Sequence, residues 1–483
     1  MDFPVFHLDL MGGRGLIAVI ATLHVLINHG LAVGLMPLIA LMEWHGNKTK
    51  DKRWDTLAYK ILFFAFLITT TVGALTGVGI WLSVSLVNPY AIGSLIRVFF
   101  WAWFTEWLVF ITEVVLIVVY FLTWKKAKTP EQKKRHIRFG FALAFFSWVT
   151  MAIIVAILGF MMNPGNWLSD RTLWSGFMNP LYLPQMALRT PLAMAMAGVI
   201  AMVLTSFFTR KDEPLRGEAL RAIGVWTAFW TPLMLLGGYW YYTAVPASMV
   251  DNLATGLLTM QFTEWHEQLL HIVLGTVLVL FVVVQLAIFR PQKLPKIALI
   301  VPLLAIIWLT GHYERVREFI RKPYVIGQYM YANRMRVDDY PLFHKDGVLK
   351  HSTYSTPLSA AEKQGAKPED FIVLQQGKDV FMNTCSSCHT GNGVNKVTGH
   401  ITRMFGDKPV DPKMLGEFFE TMHNAQAFMP PFPGNKAEAE ALAKYLLLLR
   451  DNKAPIAGAQ DVGVTLNPAD VLAPKNAAEK VKP

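Results

Sequence analysis

Cysteine is nearly absent from this chain, with two in 483 residues. That excludes a disulfide-stapled fold and any four-sulfur metal site built within the chain. Charge is scarce too: 16% Asp, Glu, Lys and Arg against 53% hydrophobic residues, a balance that suits an integral membrane protein and not a soluble one. No glycine-rich nucleotide loop, hydrolase triad or internal repeat is present. The N-terminus, "MDFPVFHLDLMGGRGL", lacks a basic n-region and a small-residue cleavage site, so it reads as mature sequence rather than a signal peptide.

What the chain has in abundance is long apolar runs. A bilayer-spanning helix needs about 20 mostly apolar residues, and about eight segments qualify. They are 14–42, 57–87, 95–123, 138–162, 187–209, 221–243, 266–289 and 296–312. Alternate connections are basic: Lys48, Lys50, Lys52 and Arg53, then "KKAKTPEQKKRHIR", "RKDEPLRGEALR" and "RPQKLPK". The links between them, "VNPYAIGS" and 244–263, carry no Lys or Arg, which places the basic side in the cytoplasm and both termini outside. The net charge of +11 therefore reads as topology and not as nucleic-acid binding.

Both cysteines fall in one pentapeptide, "CSSCH", at 385–389. Cys385, Cys388 and His389 fit C-x-x-C-H, the attachment motif for c-type haem. Two thiols capture the vinyl groups and the adjacent histidine binds the iron from one face. Such haem is attached outside the cytoplasmic membrane, where the topology puts this segment. Met429 in "FMPPFPG" follows His389 by 40 residues, and the helical pattern "AEAEALAKYLLLLR" closes the region. Residues 350–455 resemble a small class I cytochrome c with His389 and Met429 as axial ligands. His400 and His423 are rival sixth ligands.

Histidines inside apolar spans are His24 and His29 in the first and His266 and His271 in the seventh, with His312 at the end of the eighth. Intramembrane ionisable residues are functional hypotheses; the bland alternative is a hydrogen bond to a neighbouring helix. Five residues correspond to about 140° around a helix, so neither pair clamps one iron and each histidine needs a partner from another span. Glu106 and Glu113 are seven apart and share a face, which suggests a proton path. Glu314 and Glu318 are four apart and share another.

In "EFIRKPYVIG" (318–327) a resemblance appears to the catalytic subunit of cytochrome bd oxidases. "HVLINHGLAVGLMPLIALME" (24–43), "ALTGVGIW" (74–81), "FTEW" (104–107) and "IIVAILGFMMNP" (153–164) agree with that family in the same order, over about residues 10–330. The resemblance implies that Glu318 ligates a high-spin haem b and that His24, with His29 as rival, binds the oxygen-reactive haem. It places His271 where the family has a methionine ligand to a low-spin haem and Glu106 on the proton path, with Arg97 at the family's earlier acidic position. Arg321 falls in the signature among the cofactor-binding positions.

Departures matter as much. At the family's helix-5 histidine this sequence reads "QMALRTPLAM", with Arg189 or Thr190. That low-spin haem is either missing or re-ligated, with His271 joined by His29 or His266. The long external quinol loop is shortened to about 20 residues in the 244–263 link, and eight spans stand where the family usually has nine.

The expectation is thus an all-α polytopic bundle (1–312), an external amphipathic connector (313–349), a cytochrome c domain (350–455) and a Pro/Ala/Lys-rich tail (456–483), disordered or partner-bound. Expected cofactors are one covalent haem c and two or more non-covalent haems, b or d. One reading is a bd-like respiratory oxidoreductase that passes electrons from haem c to membrane haems and reduces oxygen. The other is a membrane anchor relaying electrons between a periplasmic oxidoreductase or cytochrome and quinone. A second bd-type membrane subunit is implied by the resemblance alone.

Overall fold

The computed structural model describes residues 6–258, 266–352 and 355–452, the side chains of 254, 256–258 and 266–273 excepted. The tail beyond 452 lies outside the described residues. The apolar runs fold into long helices. These begin with α1 (Gly12–Ile27) and α2 (Leu35–Thr49), joined by a π-helical stretch at Asn28–Val33. A second such stretch, Thr69–Gly73, joins α3 (Lys52–Ile68) to α4 (Ala74–Val87). Next come α5 (Pro89–Thr123), α6 (Pro130–Met162), the short α7 (Trp167–Asp170) and α8 (Leu173–Phe177), and α9 (Tyr182–Phe208). Then follow α10 (Pro214–Ala244), α11 (Ala247–Leu258), α12 (His266–Phe289) and α13 (Lys296–Ile320).

Among the described residues, seven helical runs are long and apolar enough to cross a membrane, and Leu274–Phe289 supplies the described apolar part of α12. Each expected span thus has its helix. The helices reach further than hydropathy alone indicated, because caps carry them into the basic links. The Asp51 carboxylate accepts from Arg53 N at 2.9 Å to start α3. Thr129 and Gln132 form a reciprocal capping box with Pro130 in the first turn of α6. The link at 244–263 is not a plain loop but contains α11. Helix α13 continues to Ile320, eight residues beyond the expected end at 312, because Glu314 and Arg317 find buried partners.

Contacts divide the chain into two compact units. One is Ile20–Gly79 with Leu95–Ile320; the other is the described part of Met1–Val19, Ile80–Ser94 and Arg321–Pro483. In the first, α9 is central and packs on α10, α6, α13 and the first π-helical stretch. Its apolar window is 78% buried against 17% for the window of Pro89–Lys126, so α9 is a core helix and α5 a peripheral one.

A buried ionic cluster ties four helices of this unit together. The Glu43 carboxylate on α2, fully buried, accepts from Tyr120 Oη on α5 at 2.7 Å and from His136 Nδ1 on α6 at 2.6 Å. Lys133 Nζ of α6 reaches the same carboxylate at 2.6 Å and pairs with Asp55 of α3. His136 Nε2 donates to the Tyr120 carbonyl at 2.8 Å. Both ring nitrogens of His136 thus have an oxygen partner within the cluster.

The second unit opens with a hairpin, β1 (Tyr324–Ile326) and β2 (Met330–Tyr331), the one departure from all-α structure among the described residues. It continues through α14 (Tyr340–Asp346), α15 (Ala360–Lys363), α16 (Phe371–Thr384), α17 (Val397–Phe405), α18 (Pro412–Ala425) and α19 (Lys436–Asn452). Phe381, Leu415, Leu442 and Tyr445 make its core, where α16 and α18 pack on α19.

Removing one partner of the Glu43 cluster strands the buried partners that remain. Glu43→Leu should therefore cost about 3–5 kcal/mol, seen as a lowered unfolding temperature in detergent. Lys48→Leu, on the exposed end of α2, should leave that temperature unchanged.

Candidate haem sites

Helix α16 ends at Thr384 and the chain turns through the CSSCH motif. Cys385 N donates to the Phe381 carbonyl and His389 N to the Cys385 carbonyl, each at 2.9 Å. Both thiols are free. Burial pushes the Cys385 thiol up to about 11. Burial also raises Cys388, but Arg14, Lys322, Arg334 and the Ser387 hydroxyl outweigh it, and its pKa is lowered. His389 donates from Nδ1 to the Asn395 carbonyl at 3.2 Å, which leaves Nε2 for iron. Burial first, then His400, holds its pKa down to about 4, so the imidazole is neutral and its lone pair available.

Asn395 organises this side further. Its Nδ2 donates to the Cys388 carbonyl at 2.8 Å, and its Oδ1 accepts from His400 Nε2 at 2.9 Å. His400 thus shares a partner with His389 and packs edge-on to its ring, on the His389 side. His423 Nδ1 is bonded to the Met429 carbonyl at 2.5 Å. His400 is thus tied through Nε2 to Asn395, and His423 through Nδ1 to the loop that carries Met429. The residues present fit a covalent haem with His389 and Met429 as axial ligands.

Two supports were not visible in the sequence. Residues ahead of α1 pack on the loop after the motif. Asp9 Oδ1 accepts from Gly391 N at 2.7 Å, and the Leu10 carbonyl accepts from Val394 N at 3.1 Å. Position 393 must be glycine, since a Cβ would overlap the Asp9 carbonyl. The segment after α13 is the other support. Tyr340 Oη donates to the Pro431 carbonyl at 3.1 Å and His344 Nε2 to Phe432 O at 2.8 Å, fixing the loop that carries Met429. Arg321, expected near a cofactor, donates to the Val325 carbonyl at 3.0 Å at the start of the hairpin.

In the helical bundle, His24 repeats the pattern of His389. Its Nδ1 lies 3.3 Å from the Gly73 carbonyl and 3.2 Å from Thr76 Oγ1, again leaving Nε2. Thr76 donates its own proton to Val72 O at 2.7 Å, so its oxygen is the acceptor. The His24 ring edge faces Gly77, where a Cβ would stand 3.2 Å from Cε1. Both π-helical stretches meet here, a backbone irregularity frequent at functional sites.

His29 points elsewhere, as the five-residue spacing required. Its Nε2 lies 3.3 Å from Arg189 Nη1. A guanidinium only donates, so the His29 lone pair is committed to it. Arg189, 1% exposed, also donates to Glu314 at 2.7 Å, and Glu314 accepts from Arg317 at 2.9 Å. Glu318 is within electrostatic reach of Arg317. His29, Arg189, Glu314 and Arg317 thus form one connected group, and His24 lies within electrostatic reach of its His29. Thr190 accepts from Trp148 Nε1 at 3.0 Å. His312 packs on Trp308 of its own helix. The side chains of His266 and His271 lie outside the described residues.

Glu113 accepts from Ser147 at 2.7 Å and Thr150 at 3.2 Å, hydroxyls of α6 rather than Arg or Trp groups. Glu106 lies within electrostatic reach of Glu113. Together they form a polar stripe between α5 and α6.

A multi-pass helical bundle joined to a unit built round C-x-x-C-H fits a membrane-bound haem protein of electron transfer. Residues 13–247 match the cytochrome bd terminal oxidase subunit I family. Residues 373–446 match the cytochrome c oxidase, cbb3-type, subunit III family. The chain therefore carries a bd subunit I domain followed by a cbb3-type cytochrome c domain, the make-up of a respiratory haem oxidoreductase. A solved structure, the bd oxidase from Geobacillus thermodenitrificans, has the same fold with a TM-score of 0.55. It is 16% identical, over 66% of this chain and 88% of that one. No curated protein matches the chain.

One covalent haem per chain is expected. A haem-stained denaturing gel should show a band at the chain's mass of 54.4 kDa that disappears when Cys385 and Cys388 are both replaced by Ala. The far-red sulfur–iron band of the oxidised protein should vanish in Met429→Ala and survive in His400→Ala; its absence from the unsubstituted protein would exclude the Met429 ligand.

Proposed function

We propose that this chain passes electrons between a covalent haem c and two or more non-covalent haems, b or d, in its helical bundle, and that the electrons go on to oxygen. One observation carries this reading. His389 and His24 each tie Nδ1 to a backbone carbonyl, at 3.2 and 3.3 Å, and leave Nε2 open. That is how a protein orients a histidine for a metal, and each unit holds such a histidine, with His423 sharing the pattern at the Met429 carbonyl. The haems would supply the one-electron chemistry and oxygen binding. The protein's part is to hold iron with His389, Met429 and His24, with Glu318 lining the pocket of His24. Protons come past Glu113 and Glu106, whose carboxylates stand between hydroxyl groups and the periphery of the bundle.

The chain sits in a bacterial cytoplasmic membrane with its cytochrome c unit on the outer side, facing a periplasmic cytochrome or oxidoreductase. A second membrane subunit is supported by α5, the least buried span, which nonetheless carries two carboxylates. Glu113 turns inward to the hydroxyls of α6, so it is the exposed apolar face of α5 that a protein surface would cover. The second reading, relay to quinone without oxygen chemistry, is favoured by Arg189: it holds His29 where a second low-spin haem would need a ligand.

Pyridine haemochrome analysis should give at least two extractable haems per covalent one, a ratio lowered by His24→Ala or Glu318→Ala. The reduced protein should bind carbon monoxide at a non-covalent haem and consume oxygen with a cytochrome c reductant. Bound carbon monoxide absent, with quinone reduction present, would establish the relay instead. A protein holding haem c alone would remove the bd-like site.

A further inference from the structure

Arg334 is an arginine with several costs and no evident structural return. Its backbone takes φ +80, the left-handed region that disfavours a residue with a Cβ. It is 6% exposed, and no carboxylate pairs with it among the described residues. Its Nε has no hydrogen-bond partner. A buried, unpaired cation is among the more expensive groups a fold can contain. Burial holds the guanidinium down to about 10, still protonated at neutral pH.

Its position accounts for the cost. Arg334 Nη2 donates to Ser386 Oγ at 3.1 Å, and Ser386 stands between the two haem-attaching cysteines. Nη1 lies 3.5 Å from the Met382 carbonyl in the last turn of α16. Next to it, Ser387 Oγ donates to the Ala332 carbonyl at 3.2 Å, and Arg14 Nη2 reaches that same carbonyl at 3.5 Å. Arg14 and Lys322 are also within electrostatic reach of Cys388. Three cations thus converge on the C-x-x-C turn, and the one touching it is desolvated.

We infer that Arg334, backed by Arg14 and Lys322, raises the reduction potential of haem c by placing an unscreened positive charge against its attachment turn. The sign follows from electrostatics: reduction adds one negative charge to the haem, so a nearby cation stabilises the reduced form. Burial weakens solvent screening and makes Arg334 the dominant member. A raised potential lets haem c draw electrons from a donor of moderate potential and suits an acceptor as oxidising as oxygen. The inference rests on the covalent haem proposed above and on no property of the membrane haems.

Spectroelectrochemical titration of haem c in the full-length protein tests it. The unsubstituted protein is measured first, and absence of a covalent haem there defeats the haem c reading rather than this inference. Arg334→Gln keeps a donor for Ser386 but removes the charge. It should shift the reduced-to-oxidised ratio at fixed potential at least tenfold towards oxidised, about 59 mV for one electron, with the far-red sulfur–iron band retained. Arg334→Lys keeps the charge and should stay near the unsubstituted value. A purely structural arginine predicts that Gln leaves the potential unmoved, or that Lys and Gln shift it alike; either result overturns the inference. If Arg334→Gln fails to load haem, the double variant Arg14→Gln, Lys322→Gln decides. It must lower the potential at low salt, by an amount that shrinks at high salt, and no shift refutes the cation effect.

Discussion

The bundle turns on a guanidinium that cannot be left alone. Arg189 sits on α9, the most buried of the spans, and has water on no side. A charge in that position demands partners, and it takes them from two other elements: Glu314 on α13 and His29 in the π-helical stretch after α1. Glu314 in turn engages Arg317. The pairing explains why α13 stays helical for eight residues past its apolar run, and why His29 and His24 diverge. It also separates two fates for histidines in the same span: one is occupied by an arginine, the other keeps a lone pair.

This arrangement bears on the chemistry the bundle supports. Replacing a histidine ligand by arginine removes a lone pair and adds a fixed charge, so the space becomes an ion-pair site rather than an iron site. In this chain Glu314 neutralises the Arg189 cation. The His24 region has no such occupant. Its ring is steadied by Gly73 and Thr76 and faces a glycine, the kind of contact set that orients an imidazole without blocking it.

Much of this was legible in the sequence because it depended on local composition. Membrane-length apolar runs, basic links and C-x-x-C-H each have a short-range signature, and the helices and the haem c turn appear where those signatures stand. Contacts between distant parts of the chain were not legible. Nothing in "MDFPVFHLDL" announces that Asp9 and Leu10 bind the loop 382 residues downstream. Glu43 ends a helix motif in the sequence and His136 stands in a basic link, yet the two share a buried hydrogen bond. The end of α13 was misjudged for the same reason, since hydropathy counts Glu314 and Arg317 as polar and is blind to their pairing.

Both units pair some buried cations with carboxylates and hold others on neutral groups. In the bundle Arg189 and Arg317 share Glu314, and Lys133 lies between Glu43 and Asp55. Arg216, also buried, is held by neutral groups instead, the Pro291 and Leu294 carbonyls and the Ser206 hydroxyl. In the cytochrome unit Lys378 is balanced by Glu362, at 2.7 Å. Arg334, like Arg216, meets only neutral partners among the described residues, and it lies at the C-x-x-C turn. If its charge served only to fasten the hairpin to the motif, a neutral donor such as glutamine would do so at lower cost. The persistence of charge at a site where neutrality is cheaper points to the one neighbour whose own charge changes during function, the haem.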